Sequence, residues 1–169
     1  MVGGLVEREH RSRMTRVRVA VRVDAPAELV WRVVADPRNL PHWDRHIVGV
    51  SLASSRLAPG ATYVVTMAFM GVRARVRCEV LDWEPPRRSR VRLNGVLEAT
   101  VTTEIEPRAG ERSTLRHEVD YEFRGPLGRF AGASLGAVGG AQLALRHGTL
   151  AQKRAAEEAA RRPTRSSPR

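Results

Sequence analysis

Between Val17 and Trp43 the hydrophobic period changes from two residues to about 3.6, and the change falls at Asp24. Val17, Val19, Val21 and Val23 alternate with Arg16, Arg18, Ala20 and Arg22, the pattern of a strand with one buried face. Past Asp24, the residues Ala27, Val30, Trp31 and Val34 share one face of a helix whose first turn holds Pro26. Asp24 stands where an N-cap acceptor would sit. Asp36-Pro37 ends the helix, because the residue before a proline is pushed out of the α region.

From Trp43 to Phe123 the pattern is strand-like, punctuated at Ala58-Pro-Gly60, Gly71, Glu84-Pro-Pro86, Asn94-Gly95 and Pro107 to Gly110. Such a meander predicts antiparallel sheet. A two-residue turn at Met70-Gly71 pairs Phe69 with Val72, Met67 with Ala74, Val65 with Val76 and Tyr63 with Cys78 on one face. The other face then pairs Ala68 with Arg73, Thr66 with Arg75, Val64 with Arg77 and Thr62 with Glu79. A one-residue slip would bury the arginines, so this register is well specified. In the last hairpin Leu97 faces Phe123, Ala99 faces Tyr121, Val101 faces Val119, Thr103 faces His117 and Ile105 faces Leu115. His117 and Tyr121 thus land as polar groups on an apolar inner surface.

The turn at Asn94-Gly95 has two readings. A two-residue loop pairs Arg92 with Leu97 and Arg90 with Ala99, turning guanidinium groups inward toward a carboxylate or phenolate. A three-residue loop pairs Leu93 with Leu97 and Val91 with Ala99. The second is favoured, because burying unpaired arginines costs several kcal/mol.

From Pro126 to about Glu158 the period is helical again, which predicts one long C-terminal helix. Gly128, Gly132, Gly136 and Gly140 recur along it every fourth residue, a stripe that permits close approach or leaves space. Phe130, Leu135, Val138 and Leu145 supply apolar contacts to the sheet. Glycine costs a helix about 1 kcal/mol against alanine, so something other than propensity has to hold it.

The chain's 169 residues suffice for one domain with a real core, expected over residues 14–158. Residues 1–13 lack the apolar stretch of a signal peptide and read as a disordered arm, with Met14 as an alternative start; 159–169 read as a disordered basic tail. One cysteine allows no internal disulfide, and the cytoplasm is the expected compartment. The formal charge is +11, with every basic residue except Lys153 an arginine. These arginines alternate with apolar residues as on a solvated sheet face, without the aromatic interleaving that would point to nucleic acid, so no DNA partner is expected. The tail from Lys153 onward can touch an anionic partner or simply be solvated. No Gly-rich phosphate loop follows a buried strand.

Asp24-Ala-Pro-Ala-Glu-Leu-Val-Trp31, Asp36-Pro-Arg-Asn-Leu-Pro-His-Trp43, Leu81-Asp-Trp-Glu-Pro-Pro-Arg-Arg88 and Gly125-Pro-Leu-Gly-Arg129 together resemble the START-like (SRPBCC) superfamily, in its polyketide cyclase/dehydrase-type branch. The resemblance covers Met14 to about Gln152. It implies an α+β helix-grip fold, START-like and Bet v 1-like, with a curved antiparallel sheet wrapped around the last helix and a ligand cavity between. Members that look like this include aromatase/cyclases and carriers of lipids, quinones and hormones. They share no single catalytic triad, so no catalytic position carries over, and no cofactor is implied.

The expected function is therefore binding of an apolar, partly oxygenated small molecule. Its inward set is Tyr63, Met67, Phe69 and Cys78 from one hairpin, Thr103, His117 and Tyr121 from the other, and Leu135 and Val138 from the helix. A second reading is a polyketide cyclase, aromatase or dehydratase in which His117 and Tyr121 move protons. Against it stands a plain role for each: His117 as a buried histidine satisfied by Thr103, and Tyr121 as core with its hydroxyl at the edge. A third reading is an interaction protein using its basic surface. His42-x-Asp44-x-His46 holds metal-type ligands but straddles a helix end, so it reads as a polar rim near the cavity mouth and no metal is expected. Cys78, with no base beside it in sequence, reads as a small core residue.

Overall fold

The strand-to-helix switch at Asp24 is realised as β1 (Thr15–Val23) followed by α1 (Ala27–Val34) in a computed structural model that describes residues 14–53, 56–69, 71–126, 133 and 139–162. A 3-10 turn (Pro37–Asn39) and a short helix α2 (Leu40–Trp43) lead into the meander. Its strands are β2 (Ile47–Leu52), β3 (Thr62–Phe69), β4 (Val72–Glu84), β5 (Arg88–Asn94), β6 (Leu97–Arg108) and β7 (Arg112–Phe123). The chain finishes in α3 (Gly140–Arg161). All seven strands form one antiparallel sheet in the order β1-β7-β6-β5-β4-β3-β2, so only the pairing of β1 with β7 is non-local. Register shifts at Ile47/Gly49 in β2 and Val80/Asp82 in β4 bend the sheet as bulges do.

Both hairpins with a clear alternation adopt the expected register: Phe69 pairs with Val72 and Tyr63 with Cys78, Leu97 with Phe123 and Thr103 with His117. The turn at Asn94-Gly95 differs from both readings. Leu93 pairs with Ala99 and Val91 with Val101, two residues further along β6 than the three-residue loop would give. A two-residue slip keeps every side chain on its own face, so the alternation that fixed the other hairpins could not detect it. Arg90 and Arg92 pair with Thr102 and Thr100, and Arg92 reaches Glu79 at 3.8 Å, so neither guanidinium turns inward. Gly95 has φ +154°, and a Cβ there would lie 3.0 Å from the Arg75 carbonyl oxygen. The loop thus crosses close over β4, which only glycine permits.

Asp24 does not cap α1. The helix begins three residues later, after Pro26 in an extended conformation, and no side chain caps it. The backbone N–H of Asp24 instead donates to Glu157 Oε1 at 2.9 Å, which ties the β1 exit to α3. Asp36 is the residue that caps, accepting the Arg38 N–H at 3.0 Å at the start of the 3-10 turn.

The single long helix expected from Pro126 is also corrected. Gly139 sits in the left-handed region at φ +64°, and α3 starts only after it, then runs through Arg161, past the expected domain end at 158. Residues 127–132 and 134–138, and with them most of the glycine stripe, lie outside the described residues. What holds α3 is its grip on β1. Gln142 Nε2 donates to the Arg18 carbonyl at 2.9 Å, Lys153 Nζ donates to the Arg22 carbonyl at 2.8 Å, and Lys153 pairs with Glu157. Burying the apolar stripe of α1 adds the larger share: Val30, Trp31, Ile105, Leu115 and Ala156 form one core cluster. Val65, Val76, Cys78 and Val80 form a second, and Trp83 packs against both, meeting Trp31 edge-on at 4.9 Å between ring centres. Among the described residues no helix is long and apolar enough to cross a membrane.

Candidate functional site

The inward residues of the strands stop short of α3 and leave a cavity of about 310 Å³. The sheet contributes Tyr63 and Met67 from β3, Cys78 from β4, Thr103 from β6 and His117 and Tyr121 from β7. All six are the residues that alternation alone turns inward. The side chain of Phe69, and Leu135 and Val138 altogether, lie outside the described residues. Among the described residues the helix wall is built from Ala141, Ala144, Leu145, Gly148, Thr149 and Gln152. That stripe, with spacings of three and four residues, faces the sheet as one side of a helix must. Alanine and glycine along it hold the backbone near the sheet without filling the space.

His117 is the best-defined polar group of the cavity. It is buried between Thr103, whose hydroxyl lies 3.0 Å from Nδ1, and Gln152, whose Oε1 lies 2.7 Å from Nε2. An amide oxygen only accepts, so Nε2 carries the proton and Nδ1 accepts the Thr103 hydroxyl. Burial pushes the imidazole below its ordinary pKa, and the bond to Gln152 opposes that only in part. The ring is therefore neutral at physiological pH with both nitrogens engaged. The strand register alone points to Thr103 as its partner. It does not point to Gln152, although a place on the helical stripe of small residues marks that residue as inward-facing.

Tyr63 and Cys78 face each other across β3 and β4. Burial, with Cys78 alongside, raises the Tyr63 hydroxyl well above its ordinary pKa, and burial pushes the Cys78 thiol up to about 12. A thiol so far from ionisation is a poor nucleophile, and Cys78 is a core residue on the cavity wall. Tyr121 packs edge-on against Phe123 at 5.7 Å between ring centres. Its hydroxyl has no protein partner among the described residues.

A second polar cluster enters where α2 meets β2. Trp43, Asp44 and His46 all line the cavity. Asp44 Oδ1 accepts the His46 backbone N–H at 2.8 Å and lies 2.9 Å from His46 Nδ1, which fixes the ring beside the carboxylate. His42 turns away: it is exposed, lies tilted against Trp43 at 5.9 Å between ring centres and places Nδ1 3.2 Å from the Asn39 carbonyl. The three ligand-type side chains of His42-x-Asp44-x-His46 therefore do not converge, and among the described residues no three His, Cys, Asp or Glu groups cluster to hold a metal. Trp43 leans on α3, where a Cβ at Gly148 would lie 3.2 Å from its carbonyl oxygen.

Most of the acidic and basic side chains sit on the outer face. Arg18 pairs with Glu118 at 2.5 Å and Arg124 with Glu98 at 3.1 Å, contacts of little energetic weight at such exposure. In the basic C-terminal segment, Arg162 is bonded to Glu158 at 2.7 Å, and residues 163–169 lie outside the described residues.

The sequence profile of a family described as polyketide cyclase/dehydrase and lipid transport matches residues 14–157. No curated protein matches the sequence. Among solved structures, TTHA0849 of Thermus thermophilus is similar at 20% identity and TM-score 0.69, over 88% of this chain and 100% of that one. The Zhui aromatase/cyclase of Streptomyces sp. R1128 is similar at 20% identity and TM-score 0.64, over 90% and 97%. A START superfamily protein of Mycobacterium smegmatis is similar at 19% identity and TM-score 0.63, over 85% and 98%. At these identities the likeness is one of fold, the helix-grip fold, in which a sheet wraps a C-terminal helix.

Proposed function

The chain belongs to the polyketide cyclase/dehydrase and lipid transport family, and from that premise we propose that its cavity holds an apolar, partly oxygenated small molecule and that the protein is a binder or carrier. The observation that carries this reading is the state of His117. A neutral imidazole bonded at both nitrogens to neutral groups has neither a proton to spare nor a lone pair to offer without breaking one of those bonds. The rest of the lining is mainly apolar, with a few hydroxyls and the Asp44–His46 pair, the make-up of a site that binds and orients. The cytoplasm is the compartment that goes with this reading.

A second reading, a cyclase or dehydratase acting on a chain folded in the same cavity, is favoured by one feature, the Asp44–His46 pair on the cavity wall. A histidine oriented by a carboxylate is a general-base arrangement, so on that reading His46 moves the proton, with the Tyr121 hydroxyl as the candidate donor to a ligand carbonyl. The two readings separate in an assay with a poly-β-keto thioester. The carrier reading expects binding with no product above background in the wild type. Product formation that His46→Ala abolishes while binding persists would replace it with the second reading.

A further inference from the structure

The chain carries 29 lysines and arginines, yet none of those in the described residues lines the cavity. Among the described residues the charged group on its wall is the Asp44 carboxylate, with the His46 ring beside it; His117 is neutral. An acid entering this space would lose its hydration, find no arginine or lysine among the described residues, and lie in the same space as an existing carboxylate. Burying an unpaired carboxylate is among the costliest changes a site can demand.

Among the donors on the wall without an acceptor in the described residues, which include the Tyr121 hydroxyl and Trp43 Nε1, the Gln152 amide is the one held in place by a second bond. Gln152 gives its Oε1 to His117, and its Nε2 has no acceptor among the described residues. Among the described residues the side-chain N and O atoms both sealed by protein and unpartnered are Trp43 Nε1 and Arg88 Nε, so Gln152 Nε2 is not sealed. Because Gln152 lines the cavity, its N–H groups open onto it. With Oε1 facing His117 Nε2, the NH2 end is the one presented to the cavity. An amide NH2 donates and cannot accept, so it calls for an oxygen acceptor on the ligand.

We propose that the cavity selects neutral ligands bearing a carbonyl-type oxygen, which accepts from Gln152 Nε2, and excludes carboxylates and phosphates. The proposal rests on the cavity-binding reading above and narrows its ligand class. His117 then acts as a positioning residue, since it orients the amide that touches the ligand.

Three probes that share one ring system test this: anthracene, anthraquinone and anthracene-9-carboxylate, each titrated into the full chain by calorimetry. The expected result is that anthraquinone binds about tenfold more tightly than anthracene. The carboxylate is expected to bind about a hundredfold more weakly than the hydrocarbon. Gln152→Glu, which keeps an acceptor for His117 and removes the NH2, is expected to abolish the preference for the quinone. Carboxylate binding equal to or tighter than that of anthracene overturns the proposal, as does equal binding of quinone and hydrocarbon, while leaving the cavity-binding reading standing. A quinone preference that survives in folded Gln152→Glu overturns the assignment to Gln152. Failure of all three probes to bind overturns the cavity-binding reading and this proposal with it. The wild-type series decides the charge selectivity even if the variant does not fold.

Discussion

Nε2 of His117 lies 2.7 Å from Oε1 of Gln152, a bond between two cavity-lining residues that spans from β7 to α3. It joins the sheet to the helix through two buried polar groups and leaves the imidazole neutral. Because the folded-state pKa of His117 is lowered by burial, the unfolded chain binds more protons in the acid range. This contribution to stability is therefore complete above the unfolded value, about 6.5, and is lost as pH falls from there through the folded value. Urea midpoints of wild type and His117→Gln between pH 8 and pH 5 check the sign. The wild type should lose more stability on acidification than the variant; parallel profiles would mean that His117 is not buried neutral.

Leu115 is fully buried in the cluster that packs α1 against the sheet, whereas Leu143 on α3 is half exposed. Leu115→Ala should cost about 2–5 kcal/mol in denaturant unfolding. Leu143→Ala should stay within about 0.5 kcal/mol. Similar losses at both sites would contradict the placement of the core.

At Gly148 α3 runs close against α2, since a Cβ there meets the Trp43 carbonyl at 3.2 Å. A β-branched side chain has to push the two helices apart. Gly148→Val should destabilise by about 1–3 kcal/mol despite valine's better helix propensity, and should perturb Trp43 fluorescence. A neutral or stabilising outcome would show that the helices are not in contact there.

The legibility of this fold in its sequence depends on the size of the error that each pattern can detect. The registers of Met67 against Ala74 and of Thr103 against His117 are readable because a slip of one residue would turn charged side chains inward. The register of Leu93 against Ala99 is not, because a slip of two changes no face. The pairing of Val19 with His117 joins strands about a hundred residues apart and leaves no local trace. Within the site, Tyr63, Cys78, Thr103, His117 and Tyr121 follow from alternation. Gln152 does not, because periodicity shows which helical face is inward but not which residue on it arrives opposite His117. Asp44 and His46 read as a polar rim rather than as a paired unit, since the end of α2 sets their geometry and the spacing of two does not.

The central claim is that an apolar ligand sits inside the protein, between sheet and helix. Ala99, buried on β6 opposite Tyr121, lines that space with a small side chain, so Ala99→Phe fills the cavity from within. The most direct test is a fluorescence titration of wild type and Ala99→Phe with anthracene, with circular dichroism to confirm that both are folded. The account predicts one molecule bound per wild-type chain and at least about tenfold weaker binding to the variant. Equal binding by both proteins would place the probe on the surface and contradict the account, as would a folded wild type that binds none.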